Sequence, residues 1–269
     1  MEETDGKDVS VKPQVLVLKT DGINRDEEMA YAFRIAGSDA KIVHVNELRN
    51  KKDKLSKYQI VVVPGGFSYG DDVVSGKILA VEMTSFLAEE LSRFIERKNT
   101  LMLGVCNGFQ VLVRTGLLPF RRIGEMDVTL TNNSSGHFEC RWIRMKVEDS
   151  RCVFLKNMQG REVTYPVAHG EGRFFAPEDV LKKVENENLV AFRYIDEVGK
   201  PTQTYPENPN GAMHAIGGIT DTTGRILGLM PHPECFVRPE QHPNWRRIKS
   251  LKPDGLLLFQ NMVHHVKNA

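Results

Sequence analysis

The sequence is poor in the features that mark a secreted scaffold, a membrane protein or a nucleic-acid binder. Its 269 residues include four cysteines, Cys106, Cys140, Cys152 and Cys235. They form no Cys-x-x-Cys pair and no zinc spacing, which argues against a disulfide framework or a zinc module and for a reducing compartment. Neither sign of charge is in excess: 36 basic residues stand against 35 acidic ones, a net charge of +1, so no electrostatic footprint for nucleic acid or a membrane surface stands out. No apolar run is long enough to span a bilayer, and the first dozen residues, with Glu2, Glu3, Asp5, Lys7 and Asp8, lack the apolar stretch of a signal peptide. Neither Gly-x-x-x-x-Gly-Lys-Ser/Thr nor Gly-x-Gly-x-x-Gly occurs, which removes two common phosphate loops. There is no internal repeat. The runs Arg49 to Lys54 and Arg121-Arg122 read as solvated faces, and His264-His265 is a poor metal site because adjacent helical residues diverge. The expectation is a cytoplasmic chain with no metal, no nucleic acid and no membrane partner.

What is present is an ordinary globular composition, 41% hydrophobic and 26% charged, with enough chain for one sizeable core. Residues 1–12 read as a flexible N-terminal tail and 13–269 as one domain. Gln14 to Leu18, Lys41 to Val45, Ile60 to Val63 and Leu101 to Val105 read as buried strands; Asp26 to Ala36, Lys77 to Lys98 and Phe109 to Leu118 read as helices. Alternating strands and helices imply an α/β fold with a mostly parallel central sheet flanked by helices. From Asn132 to about Leu229 the strand candidates shorten (Cys140 to Val147, Thr164 to Ala168, Leu189 to Tyr194) and turn residues punctuate them, which suggests an antiparallel extension. Pro233 to Pro253 reads as an irregular surface loop able to meet a partner, and Pro253 to Lys267 as a closing helix.

The most telling stretch is Leu101 to Gln110, where an apolar strand runs into Gly104-Val-Cys106-Asn-Gly108 and then into a helix. Flanking glycines permit a strained turn that lifts a central thiol to the top of a sheet, beside a helix N-terminus that favours the thiolate. A lone Cys after an apolar run is more often a small core residue. The glycines and a downstream His shift that balance, because a packing Cys needs neither. Leu227 to Met230 is another apolar run, ending in Pro231-His232-Pro233-Glu234. In extended chain His232 and Glu234 face the same way, so a carboxylate can fix the imidazole tautomer while the other nitrogen meets the thiol. A third block, Ile60 to Asp72, is a buried strand ending in Pro64-Gly65-Gly66-Phe67. Its bare backbone N–H groups, with that of Asn107, suit an oxyanion.

These residues resemble the class I, triad-type glutamine amidotransferases, and within them the glutaminase subunit of phosphoribosylformylglycinamidine synthase. Pro64 to Asp71, Gly104 to Gln110, His169-Gly-Glu-Gly172, Asn208-Pro-Asn-Gly211 and Met230 to Glu234 look like that family's blocks in its order, with Phe138-Glu139 and Asp254-Gly255 extending the similarity from about Val15 to His265. The resemblance implies a flavodoxin-like fold and hydrolysis of L-glutamine through a thioester on Cys106. His232 would relay protons, and Glu234 would orient it. Gly66, Phe67 and Asn107 would form the oxyanion hole, Gln110 would lie beside the substrate, Asn133, Ser135 and Phe138 would belong to a glutamine-holding loop, and His169 and Glu171 would line or brace the pocket. It further implies no cofactor in this chain, ATP and Mg on a synthetase subunit that receives the ammonia and makes formylglycinamidine ribonucleotide, and a small bridging subunit.

Two positions depart from the relatives: Asn132 and Cys235 stand where Arg is frequent. Two other readings are compatible with the residues alone. One is a different Cys-dependent acyl hydrolase or peptidase on a related sheet; the other is a non-catalytic subunit that regulates the synthetase.

Overall fold

The computed structural model describes residues 12–71 and 73–269; eleven of the twelve residues read as a tail lie outside them. The chain opens with β1 (Gln14–Lys19), α1 (Asp26–Ile35), β2 (Asp39–His44), the short α2 (Val45–Arg49) and β3 (Ile60–Val63). The first long crossover carries α3 (Lys77–Ser85) and α4 (Ala88–Glu96), followed by β4 (Leu101–Val105) and α5 (Asn107–Arg114). Then come β5 (Thr129–Thr131), β6 (Glu139–Val147), β7 (Glu162–His169), β8 (Arg173–Phe175), α6 (Glu178–Asn186), β9 (Val190–Tyr194), β10 (Ile216–Thr220), β11 (Ile226–Leu229) and α7 (Leu256–Lys267).

One nine-stranded sheet has the order β2-β1-β3-β4-β11-β10-β9-β6-β7. The first five of these strands are mutually parallel, and each later pairing is antiparallel. The mostly parallel sheet with an antiparallel extension is therefore the architecture observed, with one change of membership. The last strand of the 132–229 region, β11, does not stay with the extension; it inserts beside β4 and completes the parallel half. β5 and β8 form a separate two-stranded sheet.

Strands β3 and β4 are buried at every residue, as expected of parallel strands covered on both faces. The helical stretch expected over Lys77 to Lys98 is broken at Phe86-Leu87. Thr84 Oγ1 donates to the Ala80 carbonyl at 2.9 Å and Ser85 Oγ to that of Glu82 at 3.1 Å; these side chains compete for the backbone groups a continuing helix would use. The elbow helix also ends earlier than Leu118, at Arg114.

The segment from Pro233 to Pro253 is only partly a surface loop. Pro233, Glu234, Phe236 and Val237 are buried, and the exposed portion begins at Arg238. Phe236 and His242 pack with Trp142 of β6, with ring centroids 4.7–5.4 Å apart, tying this segment to the antiparallel part of the sheet.

Candidate active site

The end of β4 hands the chain to Cys106 in a conformation L-residues rarely adopt, φ 53° and ψ −109°, the strain expected of an elbow. Bonds on both sides hold it there. The Cys106 N–H donates to the Leu229 carbonyl at 2.8 Å, and the Cys106 carbonyl accepts from the N–H groups of Phe109 at 2.9 Å and Gln110 at 3.2 Å. Gly108 lets α5 settle directly on β3, because a Cβ there would stand 1.8 Å from the Val63 carbonyl oxygen. The thiol is thus fixed at the N-terminus of α5.

β11 runs parallel to β4 with Leu229 opposite Val105, so the chain leaving β11 emerges beside Cys106. The extended geometry expected for His232 and Glu234 is not the one used. A 3-10 turn over Pro233–Phe236 swings Glu234 under the imidazole, and His232 Nδ1 meets Glu234 Oε1 at 2.7 Å. Both side chains are buried. The other nitrogen, Nε2, is buried without a hydrogen-bond partner among the described residues, leaving it free for the thiol. Gly65 wedges between the two groups: a Cβ there would lie 2.7 Å from His232 Cε1 and 3.4 Å from Cys106 Cβ. Burial alone would depress the His232 imidazole, but the negative charges of Glu234 and Cys106 outweigh it and raise its pKa to about 10.

A cavity of about 550 Å³ opens onto Cys106, a size suited to a small metabolite. Gly66, Phe67, Gln110, Phe138 and His169 line it, together with Asp71, Asn132 and Glu171. Phe67 and Phe138 are exposed at its mouth, their rings stacked with centroids 6.3 Å apart.

The side chains of three residues read as part of the site stand outside the cavity lining. Asn107 is buried beneath the cavity: its Oδ1 accepts from Ser68 Oγ at 2.7 Å, and its Nδ2 donates to Asp71 Oδ1 and Gln110 Oε1, both at 3.0 Å. Asn133 is also buried and stands behind the lining. Its Oδ1 accepts from the Gly172 N–H at 3.0 Å and meets His169 Nδ1 at 3.1 Å, while its Nδ2 donates to the His137 and His169 carbonyls. Ser135 Oγ donates to Glu139 at 2.8 Å and is likewise outside the lining. Asn133 and Ser135 therefore shape the loop rather than meet the cavity, because their polar groups are spent on its neighbours.

The expected oxyanion donors also need a correction. The Phe67 N–H donates to the Gly22 carbonyl at 2.9 Å, so in this conformation Phe67 offers the cavity its ring and not its amide. The Gly66 and Asn107 N–H groups carry no bond among the described residues.

Sequence reasoning gave no role to Asp71, Asn210 or Tyr194. Asp71 lines the cavity while accepting from Ser75 Oγ at 3.0 Å and the Gly76 N–H at 3.2 Å; burial raises its pKa. Asn210 Nδ2 donates to Tyr194 Oη at 3.1 Å and reaches His169 Nε2 at 3.5 Å. Burial, then the charge of His232, lowers the His169 pKa to about 3, so this ring is neutral between its two asparagines. Asp71 and Asn210 lay inside recognised blocks, and that was their only signal; Tyr194 carried none.

A strained cysteine at a strand–helix junction, an imidazole held by a buried carboxylate and a pocket at the carboxyl ends of parallel strands define a thiol-dependent acyl-transfer enzyme of the triad type. Comparison with known proteins specifies which. Residues 12–266 match the model of the CobB/CobQ-like glutamine amidotransferase domain. The chain is 47% identical over 256 residues to the phosphoribosylformylglycinamidine synthase subunit PurQ of Dehalococcoides mccartyi, covering 94% of this chain and 97% of that one. It is 42% identical to the PurQ of Methanococcus maripaludis, covering 97% of each. Among solved structures, PurLQS from Thermotoga maritima contains a chain that superposes with a TM-score of 0.73 at 31% identity, covering 94% of this chain and 99% of that one. The chain belongs to the class I glutamine amidotransferases and, within them, to the PurQ family, the glutaminase subunits of phosphoribosylformylglycinamidine synthase.

Proposed function

We propose that this chain generates ammonia from L-glutamine at Cys106 and passes it to a synthetase subunit that makes formylglycinamidine ribonucleotide. The observation that carries the reading is the buried Nε2 of His232, unbonded among the described residues, on an imidazole that meets the strained Cys106 across Gly65.

The Cys106 thiolate attacks the side-chain carboxamide carbon of glutamine. The oxygen that becomes negative is met by the Gly66 and Asn107 N–H groups. Imidazolium His232 gives its Nε2 proton to the amide nitrogen, the carbon–nitrogen bond breaks, ammonia leaves and a thioester remains on Cys106. Neutral His232 then takes a proton from water, the hydroxide adds to the thioester, and glutamate departs as the thiolate re-forms. Glu234 holds Nδ1 throughout, fixing which nitrogen acts. Two carboxylates at the cavity, Asp71 and Glu171, are suited to the α-ammonium group of glutamine.

The partner is a synthetase subunit of the enzyme whose subunit name the relatives carry, joined by a small bridging subunit, with ATP and Mg bound on the synthetase and no cofactor on this chain. The setting is the cytoplasm. Among the described residues no helix is long and apolar enough to cross a membrane. The test is ammonia and glutamate release from glutamine by this chain mixed with its synthetase, with Cys106→Ala as the blank. The expected result is loss of all glutamine-dependent turnover in the variant while the complex still uses free ammonia. Undiminished glutamate release by Cys106→Ala would overturn the assignment.

A further inference from the structure

Glu234 gives one carboxylate oxygen to His232. The other, Oε2, is buried with no partner among the described residues, on a side chain that is 0% exposed, a costly state for a charged group. The 3-10 turn that brings Glu234 under the imidazole also brings up Cys235. One ligand atom from each of His232, Glu234 and Cys235 lies within 4.8 Å of the other two.

We propose that His232, Glu234 and Cys235 form a binding site for a soft divalent cation of the Zn²⁺ or Cd²⁺ class, and that occupancy switches the glutaminase off. Nitrogen, oxygen and sulfur from three side chains make a donor set these ions favour. Around a tetrahedral ion with bonds of about 2.0–2.3 Å such ligands sit roughly 3.5 Å apart, so closing on the ion takes about an ångström of side-chain movement. The sequence spacing His-x-Glu-Cys is no zinc signature. The site arises because the 3-10 turn gathers three donors from four successive residues that an extended chain would spread.

Charge favours the same outcome. Glu234 Oε2 is buried without a partner among the described residues, so its carboxylate calls for a balancing positive charge. A dication supplies that balance for thiolate and carboxylate together. Arg25, the cation whose charge reaches this cluster, is already paired with Glu28 at 2.9 Å. On binding, the Cys235 S–H proton and the His232 Nδ1 proton pass to solvent while sulfur and nitrogen each donate a lone pair to the ion. Nε2 then retains its proton and cannot accept one from water or thiol, and Glu234 no longer orients the ring.

Cys106 and the same imidazole are a second soft-metal pair, so the test must separate the two thiols. In Cys106→Ala, Zn²⁺ titrated calorimetrically is expected to bind at one equivalent, and Cd²⁺ to give an ultraviolet thiolate-to-metal band. Cys106→Ala/Cys235→Ser is expected to lose the band and bind roughly ten-fold more weakly or worse, since removing even outer-shell partners of a metal costs ~10–100-fold. In the otherwise native chain assembled with its synthetase, Cys235→Ser should keep glutamine-dependent activity but need at least about ten-fold more Zn²⁺ for half-inhibition. Loss of all metal binding in Cys106→Ala, undiminished binding in the double variant, or equal Zn²⁺ sensitivity of Cys235→Ser would each overturn the proposal. The inhibitory consequence rests on the glutaminase reading, whereas the binding measurements do not, so the two fail separately.

Discussion

Gly65 supports the chemistry without contributing a reacting atom. His232 Cε1 would lie 2.7 Å from a methyl group placed on it, closer than carbon atoms tolerate, and the ring is walled in by burial on its other sides. Gly65→Ala therefore displaces the imidazole, at an overpacking cost of about 1–3 kcal/mol. Because misplacing a catalytic group by about 1 Å costs ~10²-fold, kcat for glutaminase in the assembled, folded enzyme is expected to fall about a hundred-fold. Retention of near-normal kcat would show that the ring has room the geometry denies it. Glu234→Gln tests the other side of the ring. An amide can present its N–H to Nδ1 and select the wrong tautomer, so kcat should drop by roughly 10³–10⁴ with KM for glutamine little altered, as when a triad carboxylate becomes an amide. At this scale the sequence was legible where chemistry demands a residue type in a particular setting: a Cys between glycines, a His two residues before a Glu. It was silent on Tyr194 and gave Asn210 no role, since hydrogen bonding of a buried amide to a residue sixteen positions away leaves no local pattern.

Elements carry the elbow. β3 and β4 were readable to the residue because continuous apolar runs bounded by Pro64 and Cys106 leave little choice of register. The division of the 77–98 stretch was not readable, since Thr84 and Ser85 sit in an otherwise acceptable helical pattern and act only through their hydroxyls. The placement of β11 beside β4 was also hidden, because pairing between strands separated by more than a hundred residues is decided by the whole sheet. That pairing and the contact of α5 with β3 jointly set the Cys106 backbone, so a defect in either should be felt as stability before chemistry. Gly108→Ala places a methyl 1.8 Å from a backbone carbonyl in β3, where no side chain can rotate away. Overpacking of this kind costs about 1–3 kcal/mol, and denaturant unfolding is expected to show a loss at the upper end of that range. An unfolding midpoint equal to that of the unmodified chain would mean that α5 can lift off the sheet at little cost.

At the scale of the whole molecule, the two buried histidines bracket the pH range of greatest stability. His169, lowered to about 3 in the folded chain, must protonate on unfolding at any pH below its ordinary value near 6.5. Its contribution is complete above that value and is lost as pH falls toward 3. His232 is raised to about 10, so its contribution is complete below about 6.5 and is lost as pH rises through 10. Tm against pH is thus expected to decline on both flanks, and His169→Gln should flatten the acid flank alone. An acid flank of unchanged steepness in that variant would assign the acid sensitivity to other groups.

The same scale governs when the enzyme works. Free ammonia is wasted, and the oxyanion loop here has a conformation with something to release. The Phe67 N–H is tied to Gly22, the Tyr69 N–H donates to the Asp21 carbonyl at 2.8 Å, and Tyr69, Gly70 and Asp71 follow one another at positive φ. Such backbone persists only when its surroundings hold it, and the exposed Phe67 and Phe138 at the cavity mouth give a docking partner purchase on that loop. Docking of the synthetase is expected to rearrange residues 65–71 and raise glutaminase kcat at least about ten-fold, a gating step of the kind that loop closure provides elsewhere. Phe67→Ala should shrink that stimulation, read as the ratio of the two rates so that any change in the isolated chain's own rate divides out. The comparison is glutamate release by the chain alone and with the synthetase, for both forms. Equal rates with and without the partner in the native chain would mean that the loop is already in its working conformation and that restraint, if any, lies in ammonia transfer rather than in the glutaminase site.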